Sequence, residues 1–312
     1  HRLFADAPEL ELPKLELLGQ TRMTAMIDGH TQLVGLIGWP VEHTLSPTMH
    51  NAAFDALGLN YRYLPLPVEP GRVEAAMRGL PALGFRGANV TVPHKQAVMP
   101  HLEEITDSAQ AIGAVNTIVV QDGRLVGHNT DGHGFLATLR KPGFKPAGKR
   151  ALVLGAGGAA RAVVYALAQA NCTVAIHNRT VQRAAKLAHD MQDMDLCAPV
   201  TWTPINTQIT DLNLDQFDLL VNTTPVGMWP HTDNAPWPKN LSFPSHWIVF
   251  DLVYNPPETR LLRHARELGA RTIGGLGMLV RQGARAFEMW TGEKAPVEIM
   301  RSTCEQTLKD KI

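Results

Sequence analysis

An α/β fold divided between two domains is what the sequence predicts, and three observations carry it. The chain has 312 residues, beyond the length at which one hydrophobic core keeps growing, so two cores are expected. From Gln32 onward, strand-like and helix-like patterns alternate, the order that builds a mainly parallel sheet with helical crossovers. Midway, ALVLGAGGAARAVVYALAQ joins an apolar run to a helix pattern through a tight glycine turn, the layout of a dinucleotide-binding unit.

The elements follow in order. Residues 1–30 carry charges and leucines without a clear pattern and are expected to be an unassigned N-terminal extension. LVGLIG reads as a buried strand, and SPTMHNAAFDALG as a helix with apolar residues at Met49, Ala52, Ala53, Phe54 and Leu57, ending on Gly58. Ser46, directly before Pro47, is a candidate N-cap. YRYLPLPV is strand-like, VEAAMRGL helical and GANVTV a strand again. AVNTIVVQDGRLVGHNTD holds two runs joined by Asp122-Gly123, a hairpin signal, so this half gains an antiparallel addition. KPGFKPAGKR at 141–150 reads as a linker into the second unit.

Composition limits the partners. Hydrophobic residues make up 45% and charged residues 19%, as in ordinary globular proteins. Lys+Arg and Asp+Glu both number 29, so no basic excess is available for nucleic acid or an anionic membrane, and a small-molecule partner is expected. Cys172, Cys197 and Cys304 lack the spacing of a disulfide framework or a zinc site. With no long apolar run and no secretory signal pattern, the expectation is a cytoplasmic enzyme.

The glycine turn specifies the cofactor. Gly155, Gly157 and Ala160 fit G-x-G-x-x-[G/A] between strand and helix, where backbone amides and the helix dipole favour a pyrophosphate. An NAD site would place an acid about 20 residues on, to bond the ribose 2′-hydroxyl. This chain has Asn178, Arg179, Thr180 and, one turn later, Arg183. A guanidinium pairs with a 2′-phosphate, so NADP is expected.

GANVTVPHKQ is a strand that stops at Pro93 and hands the chain to Lys95. Pro93 is expected to set φ for a helix start. A structural turn with a solvated lysine is the alternative that these ten residues leave open. The motifs WPVEHTLSPTMHNAAF, GANVTVPHK, GAVNTI, HNTDG, GAGGAAR, NRT, NTTPVGM, VYNPPET and GLGMLVRQGARAFEMWTG occur in an order and spacing that resemble the shikimate dehydrogenase family, from about Gln32 to Gly292. That family reduces 3-dehydroshikimate to shikimate with NADPH, on the way to chorismate and the aromatic amino acids.

The resemblance implies a substrate-binding catalytic domain over 31–133 and 278–312, a Rossmann-type NADP domain over 134–277, and C-terminal helices that return to the first domain. It also implies residue roles. Lys95 is similar to the catalytic lysine and Asp131 to its partner carboxylate, which also meets substrate. Thr44 and Ser46 match the hydroxyls that bind the substrate carboxylate, while Thr91, Asn116, Tyr254 and Gln282 match further substrate contacts. Gly155, Ala156, Gly157, Gly158 and Ala159 form the cofactor turn, with Asp107, Leu252 and Gly275 matching contacts near the nicotinamide end.

The chemistry is coherent with these residues. Hydride delivery to the 3-keto carbon creates an alkoxide that needs a proton, and a lysine beside a carboxylate can donate it. Which of the two is the terminal donor stays open, because a coupled pair titrates as a unit. Thr44 departs from the serine frequent at this position in the family, which leaves quinate/shikimate and aminoshikimate dehydrogenases as alternatives. A non-catalytic NADP-binding regulator would lose Lys95 or Asp131. No metal is expected: His43, His50 and His94 lack ligand spacing and read as structural or solvent-facing, and Met228, Met278 and Met289 read as packing residues. A monomer or homodimer is expected.

Overall fold

The computed structural model describes residues 27–310 apart from 193, 195 and 204–207, so the expected extension lies outside the described residues except for 27–30. The first half runs β1 (Gln32–Gly38), α1 (Ser46–Ala56), β2 (Tyr61–Pro67), α2 (Val73–Ala82), β3 (Phe85–Val90), β4 (Glu104–Ile105), α3 (Asp107–Ile112), β5 (Thr117–Gln121), β6 (Arg124–His128) and α4 (Asp131–Arg140). Its sheet has the order β2-β1-β3-β5-β6-β4. β1 pairs parallel with β2 and β3, and the hairpin of β5 and β6 adds the antiparallel part. Asp122 and Gly123 both have positive φ, 50° and 77°, as a two-residue hairpin turn requires.

The second half contains β7 (Arg150–Leu154), α5 (Gly158–Gln169), β8 (Thr173–His177), α6 (Val181–Gln192), β9 (Val200–Trp202), β10 (Leu219–Asn222), β11 (Ile248–Asp251), α7 (Arg260–Glu267) and β12 (Arg271–Ile273). All pairings are parallel, in the order β12-β11-β10-β7-β8-β9. This is the doubly wound arrangement, whose strand order reverses between β7 and β10 and leaves a crevice at their carboxyl ends. Its central strands are buried on both faces, which is why they read as unbroken apolar runs.

Two further helices close the chain, α8 (Leu276–Thr291) and α9 (Val297–Lys309). Both pack with α1 over the first sheet, sharing a core with Phe54, Tyr63, Phe287 and Trp290. The Trp290 Nε1 donates to the Ile118 carbonyl at 3.0 Å, fixing α8 to β5. α4 lies between α8 and α5 and so joins the two sheets.

Two local expectations need correction. Ser46 is the first helical residue of α1, not its cap; Leu45 holds that position, and the Thr44 Oγ1 accepts from the Ser46 amide at 3.2 Å. Pro93 does not begin a helix. The His94 amide donates to the Thr91 carbonyl at 2.9 Å, and the His94 Nε2 meets the Val68 carbonyl at 2.6 Å, so the chain turns back at once.

His50 gives the fold a pH dependence. It is fully buried, stacks on Tyr63 with ring centroids 4.4 Å apart, and has no hydrogen-bond partner on either ring nitrogen among the described residues. Burial holds its pKa down at about 3, against 6.5 in the unfolded chain. Between those values the unfolded state binds the extra proton, so stability from this group is complete above the unfolded pKa and falls with pH below it, by about 1.4 kcal/mol per unit. His50→Phe should therefore gain stability relative to the parent as pH is lowered from 6.5. Urea unfolding of both proteins across that range checks this; a stability difference independent of pH would contradict it.

Candidate active site

The carboxyl ends of β1 and β3, the start of β5 and the start of α4 deliver the polar residues of the first half. Beyond β3, the Lys95 Nζ donates to the Asp131 Oδ2, and the two side chains are only 14% and 6% exposed. Asp131 opens α4, where the helix dipole favours a negative charge. Its Oδ1 accepts from the Asn116 Nδ2 at 2.9 Å, and the same amide nitrogen lies 3.2 Å from the Gln282 Oε1 of α8. The Lys95 carbonyl accepts from the Val115 amide at 2.8 Å, which holds the lysine loop against the strand bearing Asn116. Lys95 is therefore a half-buried, paired residue rather than a solvated turn lysine.

A second group surrounds Thr44 and Ser46. Thr44 lies beside Tyr254, whose phenol is pushed up to about 12 mainly by burial. The Ser46 side chain meets Tyr63, whose pKa burial also raises. The Thr91 side chain lies against Gly38, at the ends of β1 and β3. A buried polar network connects the groups: the Tyr63 hydroxyl donates to the Asn89 Oδ1 at 2.8 Å, Asn89 Nδ2 to the Thr117 Oγ1 at 3.1 Å, and Thr117 Oγ1 to the Asn116 Oδ1 at 3.1 Å. Tyr63, Asn89 and Thr117 escaped the sequence reading. Their one signal was a polar group at a buried strand position, since such a group needs a partner.

The dinucleotide turn faces this cluster. Gly155 has φ +111°, and a Cβ there would fall 2.5 Å from the Thr223 Oγ1, so glycine alone lets the turn sit between β7 and β10. Around Gly157, the N-cap of α5, nothing lies within 4 Å of where a Cβ would project. Ala156 is half-buried, and Gly158 and Ala159 open α5. The turn thus presents the N-terminus of α5 to open space, which fits a pyrophosphate. Gly158 also abuts the lysine: its Cβ position is 3.3 Å from the Lys95 Cβ and Cδ.

Asn178 and Arg179 line a cleft of about 820 Å³ with Gln182, Gln208, Val226 and Trp237 among its walls. The Asn178 Nδ2 donates to the Thr180 carbonyl at 2.8 Å, shaping the turn that exposes Arg179 and Thr180. Arg183 is exposed one turn later and is not part of the cleft lining. Among the described residues neither guanidinium has an ion-pair partner. Leu252 packs against the second core, and Gly275 comes so close that a Cβ would lie 2.1 Å from the Leu252 carbonyl oxygen. Asp107 is exposed in the first turn of α3, with no hydrogen bond to another candidate residue. Asp251 was missed: it is wholly buried at the end of β11, held by Thr259 Oγ1 at 2.6 Å and Asn222 Nδ2 at 2.9 Å, and burial raises its pKa to about 6.

The remaining residues divide. Met278 is in the core of the second half and Met289 packs against that of the first, but Met228 is 43% exposed, because it sits on the loop that carries Trp229 to His43, ring centroids 4.2 Å apart. His43 is exposed, and His94 is buried against Val68.

A doubly wound nucleotide-binding half set over a buried lysine–carboxylate pair defines a dinucleotide-dependent oxidoreductase. Residues 36–118 match the family described as shikimate dehydrogenase substrate binding domain, 138–224 that of shikimate / quinate 5-dehydrogenase, and 275–305 that of the shikimate 5'-dehydrogenase C-terminal domain. The chain is 52% identical to the shikimate dehydrogenase (NADP(+)) of Moorella thermoacetica, over 88% of this chain and 92% of that one. It is 48% identical to that of Methanopyrus kandleri, over 92% and 99%. A crystal structure of a shikimate dehydrogenase in complex with NADP+ superposes with a TM-score of 0.84 at 41% identity, covering 92% of this chain and 99% of that one. The chain belongs to the shikimate dehydrogenase family.

Proposed function

We propose that the protein catalyses the reversible, NADPH-dependent reduction of 3-dehydroshikimate to shikimate in chorismate and aromatic amino acid biosynthesis. The Lys95–Asp131 pair, clamped by Asn116 and lying directly beneath Gly158, is the observation that carries it. Bound NADPH supplies the hydride that reaches the 3-keto carbon. Lys95 and Asp131 act as one coupled proton donor to the oxygen as charge develops there. Asn116 and Gln282 hold the pair and the ring hydroxyls, and the hydroxyls of Thr44, Ser46, Thr91 and Tyr254 grip the substrate carboxylate and its neighbours. The turn Gly155–Ala159 holds the pyrophosphate. Arg179, with Asn178, Thr180 and Arg183, receives the 2′-phosphate, and Leu252, Gly275 and Asp107 lie toward the nicotinamide end.

We assign substrate binding to residues 31–133 with 278–312 and cofactor binding to 134–277. The α4 connection supports that division, since it packs against helices of both halves. The enzyme works in the cytoplasm, as a monomer or homodimer, on a small molecule. A non-catalytic regulator is disfavoured by the intact lysine–carboxylate pair. Reduction of 3-dehydroshikimate with NADPH carrying deuterium at both C4 positions of the nicotinamide should place one deuterium on C3 of the product; product without deuterium would overturn the proposed reaction.

Thr44 sets the preference between related acids. Quinate carries an extra hydroxyl on the carbon bearing the carboxylate, so the residues gripping that carboxylate also meet the added group. Thr44 keeps a hydroxyl, already engaged with the Ser46 amide, but adds a methyl and restricts χ1. Shikimate should be preferred over quinate, and Thr44→Ser should narrow the gap by about 1 kcal/mol or less. Parallel kcat/KM measurements check this. Quinate matching shikimate in the parent would contradict it, and an unchanged ratio in the serine variant would remove Thr44 from the explanation.

A further inference from the structure

We propose that Arg161 is a positioning residue that fixes the height of the dinucleotide turn above Lys95; this rests on the reading of the site given above. Arg161 lies on α5, one turn beyond Gly158, and is only 8% exposed. Its guanidinium spans elements of both sheets. The Nε donates to the carbonyl of Ile112, the last residue of α3 in the first half. The Nη1 donates to the Asp190 Oδ2 of α6 in the second half at 2.8 Å. A cation suits the unpaired carbonyls at the end of a helix.

The next residue is shaped around this side chain. Gly113 has φ +67°, and a Cβ there would fall 2.6 Å from the Arg161 Nη2. Any larger residue would meet both backbone strain and the guanidinium. Ile112, Ala114 and Ala162 form a small apolar core across the same junction. From it the chain runs straight to the site: the Val115 amide donates to the Lys95 carbonyl at 2.8 Å, and the Asn129 Nδ2 donates to the Ala114 carbonyl at 2.8 Å, two residues before Asp131. Arg161 thus holds the start of α5 to the same segment that supports Lys95 and Asp131. The contact of Gly158 with the Lys95 stem is the distance this brace maintains.

A misplacement near 1 Å between reacting groups costs up to about a hundredfold in rate. Arg161→Met should lower kcat at least about tenfold while the shikimate KM stays within about threefold, since the hydroxyls that hold the substrate are untouched. In the cofactor-free protein, amide exchange should accelerate at Ile112–Val115 and Gly157–Ala160 and not in β8 or β10. In Arg161→Ala, millimolar guanidinium ion should restore part of the lost kcat by occupying the vacated site. Lys186→Ala removes the other cation on Asp190, 3.0 Å from its Oδ1, and should leave kcat unchanged. Arg161→Gln, closer in volume and polarity, is the second variant if the methionine form does not fold. Unchanged kcat, or a lowered kcat with no local change in exchange, would overturn the proposal. So would faster exchange spread over the whole chain in both variants. A parent protein inactive on shikimate with NADP would refute the reading of the site instead, and the exchange data would still judge the brace.

Discussion

Lys95→Ala should lower kcat by about two to four orders of magnitude, as expected for losing a general acid, with a smaller change in shikimate affinity. The lysine is paired with Asp131 and shielded from solvent, while Asn116 holds the other carboxylate oxygen. Its removal therefore deletes one member of the proposed coupled donor and leaves the buried carboxylate without its cation. Steady-state kinetics with shikimate and NADP checks this. Near-normal turnover would remove Lys95 from the chemistry, and a raised KM at unchanged kcat would make it a residue of uniform binding.

Arg179→Ala should weaken NADP binding by about 1.5 to 3 kcal/mol, the range for hydrogen bonds to charged groups, and hardly alter NAD binding. Arg179 is exposed on the cleft wall, and among the described residues no carboxylate pairs with it. Its fork is free to meet a 2′-phosphate. Arg183 stands outside the cleft lining, so Arg183→Ala should have the smaller effect. Titrating NADPH fluorescence against each variant measures both. Equal losses for NADP and NAD in Arg179→Ala would contradict a contact to the 2′-phosphate.

Much of this arrangement was legible in the sequence because its signals are local. The turn around Gly155 and Gly157 sits between one strand and one helix, and the hairpin at Asp122-Gly123 needs only two residues with positive φ. The Lys95–Asp131 pair spans 36 positions, and only the family motifs linked its members. The network through Tyr63, Asn89 and Thr117 was not legible, since its partners lie 26 and 28 positions apart on different strands and no short spacing marks them. Ser46 before Pro47 mimicked a cap, but the chain enters α1 one residue earlier with Thr44 supplying the acceptor. Met228 looked like a core residue by type alone, whereas its loop carries it outward beside Trp229. Arg161 was hidden inside the glycine motif because its partners, Ile112 and Asp190, belong to other elements.

Lys95 and Asp131 are proposed to couple NADP to shikimate. Initial rates of nicotinamide reduction with the purified protein test this coupling most directly, using shikimate and quinate each with NADP and with NAD. The highest kcat/KM should be found for shikimate with NADP. A higher kcat/KM with NAD, or with quinate, or no reduction with any pairing, would contradict it.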